Sequence, residues 1–573
     1  MSVPHILSMD ELSTVFRDDL VLGENGHPLA KCSDTLLTLF FNLNRGVDED
    51  LLQGAVQQIF MDARCREDVQ SIKNLCLLLF QTRSCRDGKG ERACSYALMY
   101  NIWQESPQLV FELLPLMPEF GYWKDPLAFL QFVDLQVKKE DFGGLKTESL
   151  QRKVEALEFV VYSQYATQLR KDNLCEDDSQ LSLAAKYAPT EGGSYSKKLQ
   201  SNKKICEKLF GGKLPEHKKK YRILITKLRK RLKIVETQMC NGQWKEIRVK
   251  SMPSRAMALY KRAMLMEGKN KSIEEDEDRL ACRQNVMRHI ENGGSFNGKQ
   301  VYPHELAREA RELPCEAGAL EKILNAQWDN MMLGMKKEAE TFQNSFVTMC
   351  DVSGSMEGTP MDVSIALGIA MSELQKETKF KDVLTFTDKP SWHKINPEDG
   401  FVAKVKSLKK ADWGGSTNFY LALKRILDLS KECALDNFKP PNLLVISDMQ
   451  FDEATYNRSG EESNVAMDNI KKEFTDAGLA TPIIVFWNVR SSLGMPAKEE
   501  NWPGVIFMSG YSSALFKFLL SGDLEAAGSN SAEPKKKITP EEMLSRVLND
   551  PHLDPVRVAL DRVEKVSFLG GGP

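Results

Sequence analysis

Hydrophobic positions along this chain follow two regimes. In the first third, Leu36, Leu37, Leu39, Phe40 and Leu43, then Leu52, Val56, Ile59, Phe60 and Ala63, then Val69, Ile72, Leu75, Cys76 and Leu79 recur at three- and four-residue steps. That is the period of amphipathic helices. Breaks fall at Asn44-Arg45-Gly46 and over residues 64–68, so the pattern predicts short stacked helices, a solenoid that is HEAT-like in style without a fixed repeat length. A longer amphipathic helix is expected from Thr147 to about Lys171, and helical character continues to near Glu340.

At Phe346 the pattern switches to short apolar runs bounded by turn residues. Strands are expected at Phe346–Cys350, Val383–Thr387, Ser391–Ile395, Asn442–Ser447, Pro482–Trp487 and Val505–Ser509. Helices are expected between them, at about Met361–Lys376, Asn418–Lys431, Ser463–Ala477 and Ser512–Leu520. Alternation of this kind predicts a doubly wound α/β sheet, and the Asp388-Lys389-Pro390 turn predicts that its third strand is an antiparallel edge. Residues 522–537 read as a linker. Thr539-Pro540-Glu541-Glu542 then has the form of a capping box with proline at the first helical position. The expected organisation is a helical-repeat domain over 1–340, an α/β domain over 341–521, and a linker with a C-terminal helix over 522–573.

Composition narrows the class without naming a function. Of 573 residues, 42% are hydrophobic and 27% charged, with a net charge of −3, so any attraction to nucleic acid must be local. The start of the chain lacks a basic, apolar leader, and no run approaches the ~18 apolar residues that cross a bilayer. A cytoplasmic or nuclear protein, neither secreted nor membrane-spanning, is expected. The 12 cysteines form no C-x-x-C pair, and most read as small buried hydrophobes in a reducing compartment. The seven histidines form no metal cluster.

Two basic stretches stand out. Residues 197–233 hold fifteen Lys and Arg against two Glu, a local excess of thirteen positive charges. Lys218, Lys219, Lys220 and Arg222 form one cluster there and Arg229, Lys230 and Arg231 another. Such a run neutralises phosphates and releases counterions, although Ile223, Leu224, Leu228 and Leu232 mark an apolar face turned to a core, and a solvated helix face or an import signal reads the same way. The loop 81–92 adds Arg83, Arg86, Lys89 and Arg92 beside Gly88 and Gly90. Its composition suits phosphate contact, and equally an exposed helix connection.

The α/β half carries the most specific chemistry. The first strand stops at Asp351-Val352-Ser353-Gly354-Ser355-Met356, where one acid and two hydroxyls offer three hard oxygens from a tight loop. This string, with Trp413-Gly414-Gly415-Ser416-Thr417-Asn418 and the strand ending Ile446-Ser447-Asp448, resembles the metal-ion-dependent adhesion site of von Willebrand factor A domains. The resemblance implies Mg2+ (or Mn2+ or Ca2+) held by Asp351, Ser353, Ser355, Thr417 and Asp448, with one coordination position open to an acidic ligand. The threonine lies a little differently relative to the glycines in many such domains, so Ser416 could replace Thr417. No histidine or cysteine near these residues offers an obvious base or nucleophile, so no catalytic residue is assigned and a binding protein is expected rather than an enzyme.

Over its whole length the chain is similar to an uncharacterised intracellular family of plants, fungi, some animals and giant viruses, recorded as a domain of unknown function. That similarity rests on residues 86–92, 184–190, 228–232, 351–356, 414–419 and 447–451. The layout, helical repeats before a von Willebrand A domain, also resembles the Ro ribonucleoprotein autoantigen, which implies RNA binding. The expected function is a nonenzymatic RNA-binding scaffold with a divalent-cation site. The alternative is a protein assembly factor that uses the cation to grip a partner's carboxylate, without RNA.

Overall fold

The structure is a computed structural model. It describes residues 20–22, 28–30, 34–140, 148–212, 215–267, 276–298, 300–314, 318–339, 344–385 and 387. Beyond these it describes 389–411, 419–432, 439–449, 461–490, 504–520, 524, 538–563 and 568.

A small antiparallel hairpin, β1 (Leu20–Leu22) and β2 (Pro28–Ala30), precedes the helices. The first helices are Thr35–Asn42, Glu49–Arg66, Val69–Arg83 and Arg92–Glu105. Three of them begin at an aspartate, Asp34, Asp48 or Asp68, whose side chain accepts a backbone N–H of the first turn, which satisfies donors the helix leaves open. The long helix expected near Thr147 runs Glu148–Leu174. It is followed by Ser201–Phe210 and Pro215–Arg231, which carry the lysine-rich stretch. Helices Pro303–Glu312 and Gly318–Ala339 close the helical half.

The second half is a six-stranded sheet of β3 (Phe346–Cys350), β4 (Val383–Thr385), β5 (Trp392–His393), β6 (Asn442–Ser447), β7 (Ile484–Asn488) and β8 (Val505–Ser509). Their order is β5-β4-β3-β6-β7-β8. All pairs are parallel except β4–β5, so the expected antiparallel edge strand is present. Helix Phe401–Lys409 is an addition to the elements expected from the sequence.

Helix Thr359–Leu374, which follows β3, is buried along nearly its whole length. That is why its sequence is apolar on all sides. It packs on the strands and also against Pro303–Glu312 and Phe401–Lys409. Gly368 faces β3 at a distance where a Cβ would meet Cys350 Sγ at 2.2 Å, so a larger residue there would push helix from sheet. The buried Asp362 near its start is gripped from the helical half by Arg308 at 2.8 Å and Arg311 at 3.1 Å.

The two halves share one continuous hydrophobic core. The C-terminal segment docks back onto the body. Thr539 forms the expected capping box with Glu542, helix Pro540–Leu548 packs near β8, and Asp554–Leu560 packs on Val69–Arg83, where Asp561 meets Lys73 at 2.8 Å.

Candidate cation site and basic surface

Strand order reverses between β3 and β6: the chain leaves β3 for β4 on one side and β6 for β7 on the other. In open α/β sheets, ligands bind outside the carboxyl ends of strands at such a point. Because β3 and β6 are parallel neighbours with Cys350 opposite Ile446, Asp351 and Asp448 leave the sheet at the same end.

Both carboxylates are buried, Asp351 at 0% exposure and Asp448 at 1%. Asp351 Oδ2 accepts a hydrogen bond from Ser447 Oγ at 2.6 Å, and Oδ1 accepts from the Ser353 N–H at 2.9 Å. Burial first, and the Asp448 charge second, push the Asp351 carboxyl up to about 6; the hydrogen bonds from Ser447 and Ser353 act against this. Ser353 Oγ and Ser355 Oγ lie 3.1 Å apart on the solvent side. Next to Asp448 the chain takes a left-handed turn at Met449, φ 63°, a conformation that costs a non-glycine residue energy and collects at functional sites.

The fit of a hard cation to these donors is a matter of spacing. Adjacent oxygens of an octahedron of ~2.0–2.1 Å radius are about 2.9 Å apart, close to the hydroxyl pair's 3.1 Å. Among the described residues no three His, Cys, Asp or Glu side chains gather as a metal-ligand group, so a cation here would rest on two carboxylates and neutral hydroxyls. Thr417 and Ser416, with the rest of residues 412–418, lie outside the described residues.

The basic residues divide sharply. Arg83 is 2% exposed and lies beside Asp125, with Nε and Nη2 at 3.0 and 2.5 Å from Oδ2. Tyr96 donates to the other oxygen of Asp125 at 2.7 Å, and the Tyr122 N–H donates to Oδ2 at 2.8 Å. Lys89 is 0% exposed. Its Nζ donates to Phe40 O, to Ser509 Oγ at 2.6 Å and to Leu43 O at 3.4 Å, and burial pushes the ammonium down to about 7. Neither charge reaches solvent, so the expectation that Arg83 and Lys89 contact phosphate is corrected: a buried cation is kept by its partners. Arg86 and Arg92 of the same loop are exposed.

On helix Pro215–Arg231 the inward face holds His217, Tyr221, Ile225 and Leu228, while Lys218, Lys219, Lys220, Arg222 and Lys230 are exposed. Arg229 and Arg231 are taken by the fold. Arg229 donates to Ala185 O and Ala188 O, both at 2.9 Å, and Arg231 to Cys175 O at 2.7 Å and Asp178 at 2.7 Å. These two arginines hold the neighbouring turns rather than presenting charge outward.

The sequence reading missed the seam between the halves. Asn488, at the end of β7, donates to Phe41 O at 3.2 Å and accepts from Asn44 at 3.1 Å, and Ser509, at the end of β8, donates to Phe40 O at 2.6 Å. Single polar residues closing apolar strands were the available signal.

Comparison with known proteins gives two matches to domain families. Residues 345–559 match a domain of unknown function, DUF7788, and residues 138–340 match another, DUF2828. These matches support an uncharacterised domain family. The chain is also similar to the uncharacterized protein L728 of Acanthamoeba polyphaga mimivirus, 29% identical over 519 residues, covering 87% of this chain and 83% of that protein. The DUF7788 match takes in the sheet and the C-terminal helices, and the DUF2828 match takes in the lysine-rich helix. No described helix is long and apolar enough to cross a membrane.

Proposed function

We propose that this protein is a nonenzymatic RNA-binding scaffold carrying one divalent cation, Mg2+ or a similar hard ion, in a site like that of von Willebrand A domains. The ligands in this reading are Asp351, Ser353, Ser355, Asp448 and one hydroxyl of the 412–418 loop, Thr417 or Ser416. The carrying observation is that two buried acids leave adjacent parallel strands at the same end, at the reversal of strand order, beside a hydroxyl pair 3.1 Å apart. Two carboxylates balance the charge of the ion, and the position left open toward solvent attracts an anionic oxygen from a partner. Arg86, Arg92, Lys218, Lys219, Lys220, Arg222 and Lys230 supply the phosphate contacts.

A filter-binding titration of the full chain against RNA at increasing salt tests this. Affinity should fall steeply with salt. Replacing Lys218, Lys219 and Lys220 by Ala should make the log–log slope shallower by about two, since each phosphate contact on a single strand contributes about 0.7. An unchanged slope removes the lysine surface from the reading. RNA binding unaffected by a chelator, with a protein partner lost instead, would favour the assembly-factor alternative.

A further inference from the structure

The lysine surface includes one open aromatic ring. Phe159, on helix Glu148–Leu174, is 60% exposed, the one aromatic side chain left that open among the described residues. Isolated exposed hydrophobics are ordinary; the surroundings of this one are not. Lys208 of the adjacent helix Ser201–Phe210 sets its ammonium 3.4 Å from the ring centroid, well inside the ~6 Å reach of a cation–π contact. Helix Ser201–Phe210 packs against both Glu148–Leu174 and Pro215–Arg231, which also touch each other. Lys218 of that last helix lies near Cys206, where its charge acts against burial and the neighbouring Glu207, which together push the thiol up. The three packed helices thus bring Phe159 and Lys208 together, with the exposed Lys218 and Lys219 on the neighbouring helix. Of the acids nearby, Glu158 holds Lys204 at 2.5 Å and Glu216 meets Lys220 at 3.6 Å, while Glu155, one turn before Phe159, and Glu207, beside Lys208, add negative charge.

We infer that this surface takes single-stranded RNA, with one base stacked on the side of the Phe159 ring that Lys208 does not cover and the flanking phosphates on the lysines. The inference rests on the RNA reading above and names the form of RNA. A duplex keeps its base faces inside the stack, whereas a single strand offers them, and an aromatic platform in a basic groove accepts any base. Charge complementarity selects the anionic strand, and the ring adds the discrimination that lysines alone lack.

Fluorescence anisotropy of the full chain with a short labelled oligouridylate, and with a duplex of equal length, tests it. The wild type should prefer the single strand. Phe159→Ala should weaken that binding about tenfold while leaving duplex binding and the salt slope unchanged, and Phe159→Trp should restore it. Because Phe159 is exposed, a thermal melt should show the variants folded. Single-strand binding by Phe159→Ala equal to wild type overturns the inference and leaves the RNA reading standing. Failure of the wild type to bind either form overturns both. Cosedimentation with phosphatidylserine vesicles that Phe159→Ala abolishes, with RNA binding intact, assigns the ring to a membrane surface and also overturns it.

Discussion

At the scale of single residues, the buried charges decide what the molecule can do. Asp125 answers Arg83 in the core, and Gly121 makes room for the pair: a Cβ there would lie 2.0 Å from Asp125 Oδ2 and 2.3 Å from Arg83 Nη2. Removing one partner leaves the other buried and uncompensated, so Asp125→Ala should destabilise the protein by about 3–5 kcal/mol, measured by denaturant unfolding. A loss below 1 kcal/mol would mean that the pair behaves as a surface bridge. Lys89 gives a pH signature. Its folded pKa, about 7, lies below its ordinary 10.5. Between these values the unfolded chain binds more protons than the native one, so this residue makes stability rise with pH, by at most about 1.4 kcal/mol per unit. Below pH 7 its contribution is flat. Measured against Lys89→Met from pH 7 to 9, the wild type should gain stability, and parallel curves would contradict the assignment.

At the scale of elements, the lysine helix separates two jobs that look identical in the sequence. Arg229 supports carbonyls of residues 185–188, whereas Lys218, Lys219 and Lys220 stand in solvent. Arg229→Ala should cost about 2 kcal/mol of stability through lost charged hydrogen bonds, and the triple lysine-to-alanine variant should stay within about 0.5 kcal/mol of wild type. Thermal melts of both check this. The strands other than β5 were legible because each is a short apolar run closed by a polar residue; their order in the sheet comes from the structure. The placement of Asp351 and Asp448 just beyond the ends of β3 and β6 was legible for the same reason. Arg83, Lys89, Arg229 and Arg231 were misread because burial of a cation depends on acceptors 41 to 59 residues away or more, which local composition does not encode. Helix Phe401–Lys409 was overlooked, although Phe401, Val402, Val405 and Leu408 keep a helical spacing and are buried.

At the scale of the whole molecule, the helical half covers the carboxyl ends of β7 and β8 through Phe40, Phe41 and Asn44. Arg308 and Arg311 tie the helix that follows β3 to the same half. The end of the sheet that carries Asp351 and Asp448 is therefore the end that meets the helices, and a ligand on the cation would approach beside them. Everything proposed about that ligand depends on the cation. Equilibrium dialysis of the full chain against Mn2+ measures it directly. One ion per chain in the wild type, competed by Mg2+ and lost in both Asp351→Asn and Asp448→Asn, is the predicted result. A wild type that binds none, or variants that bind as it does, would contradict the account.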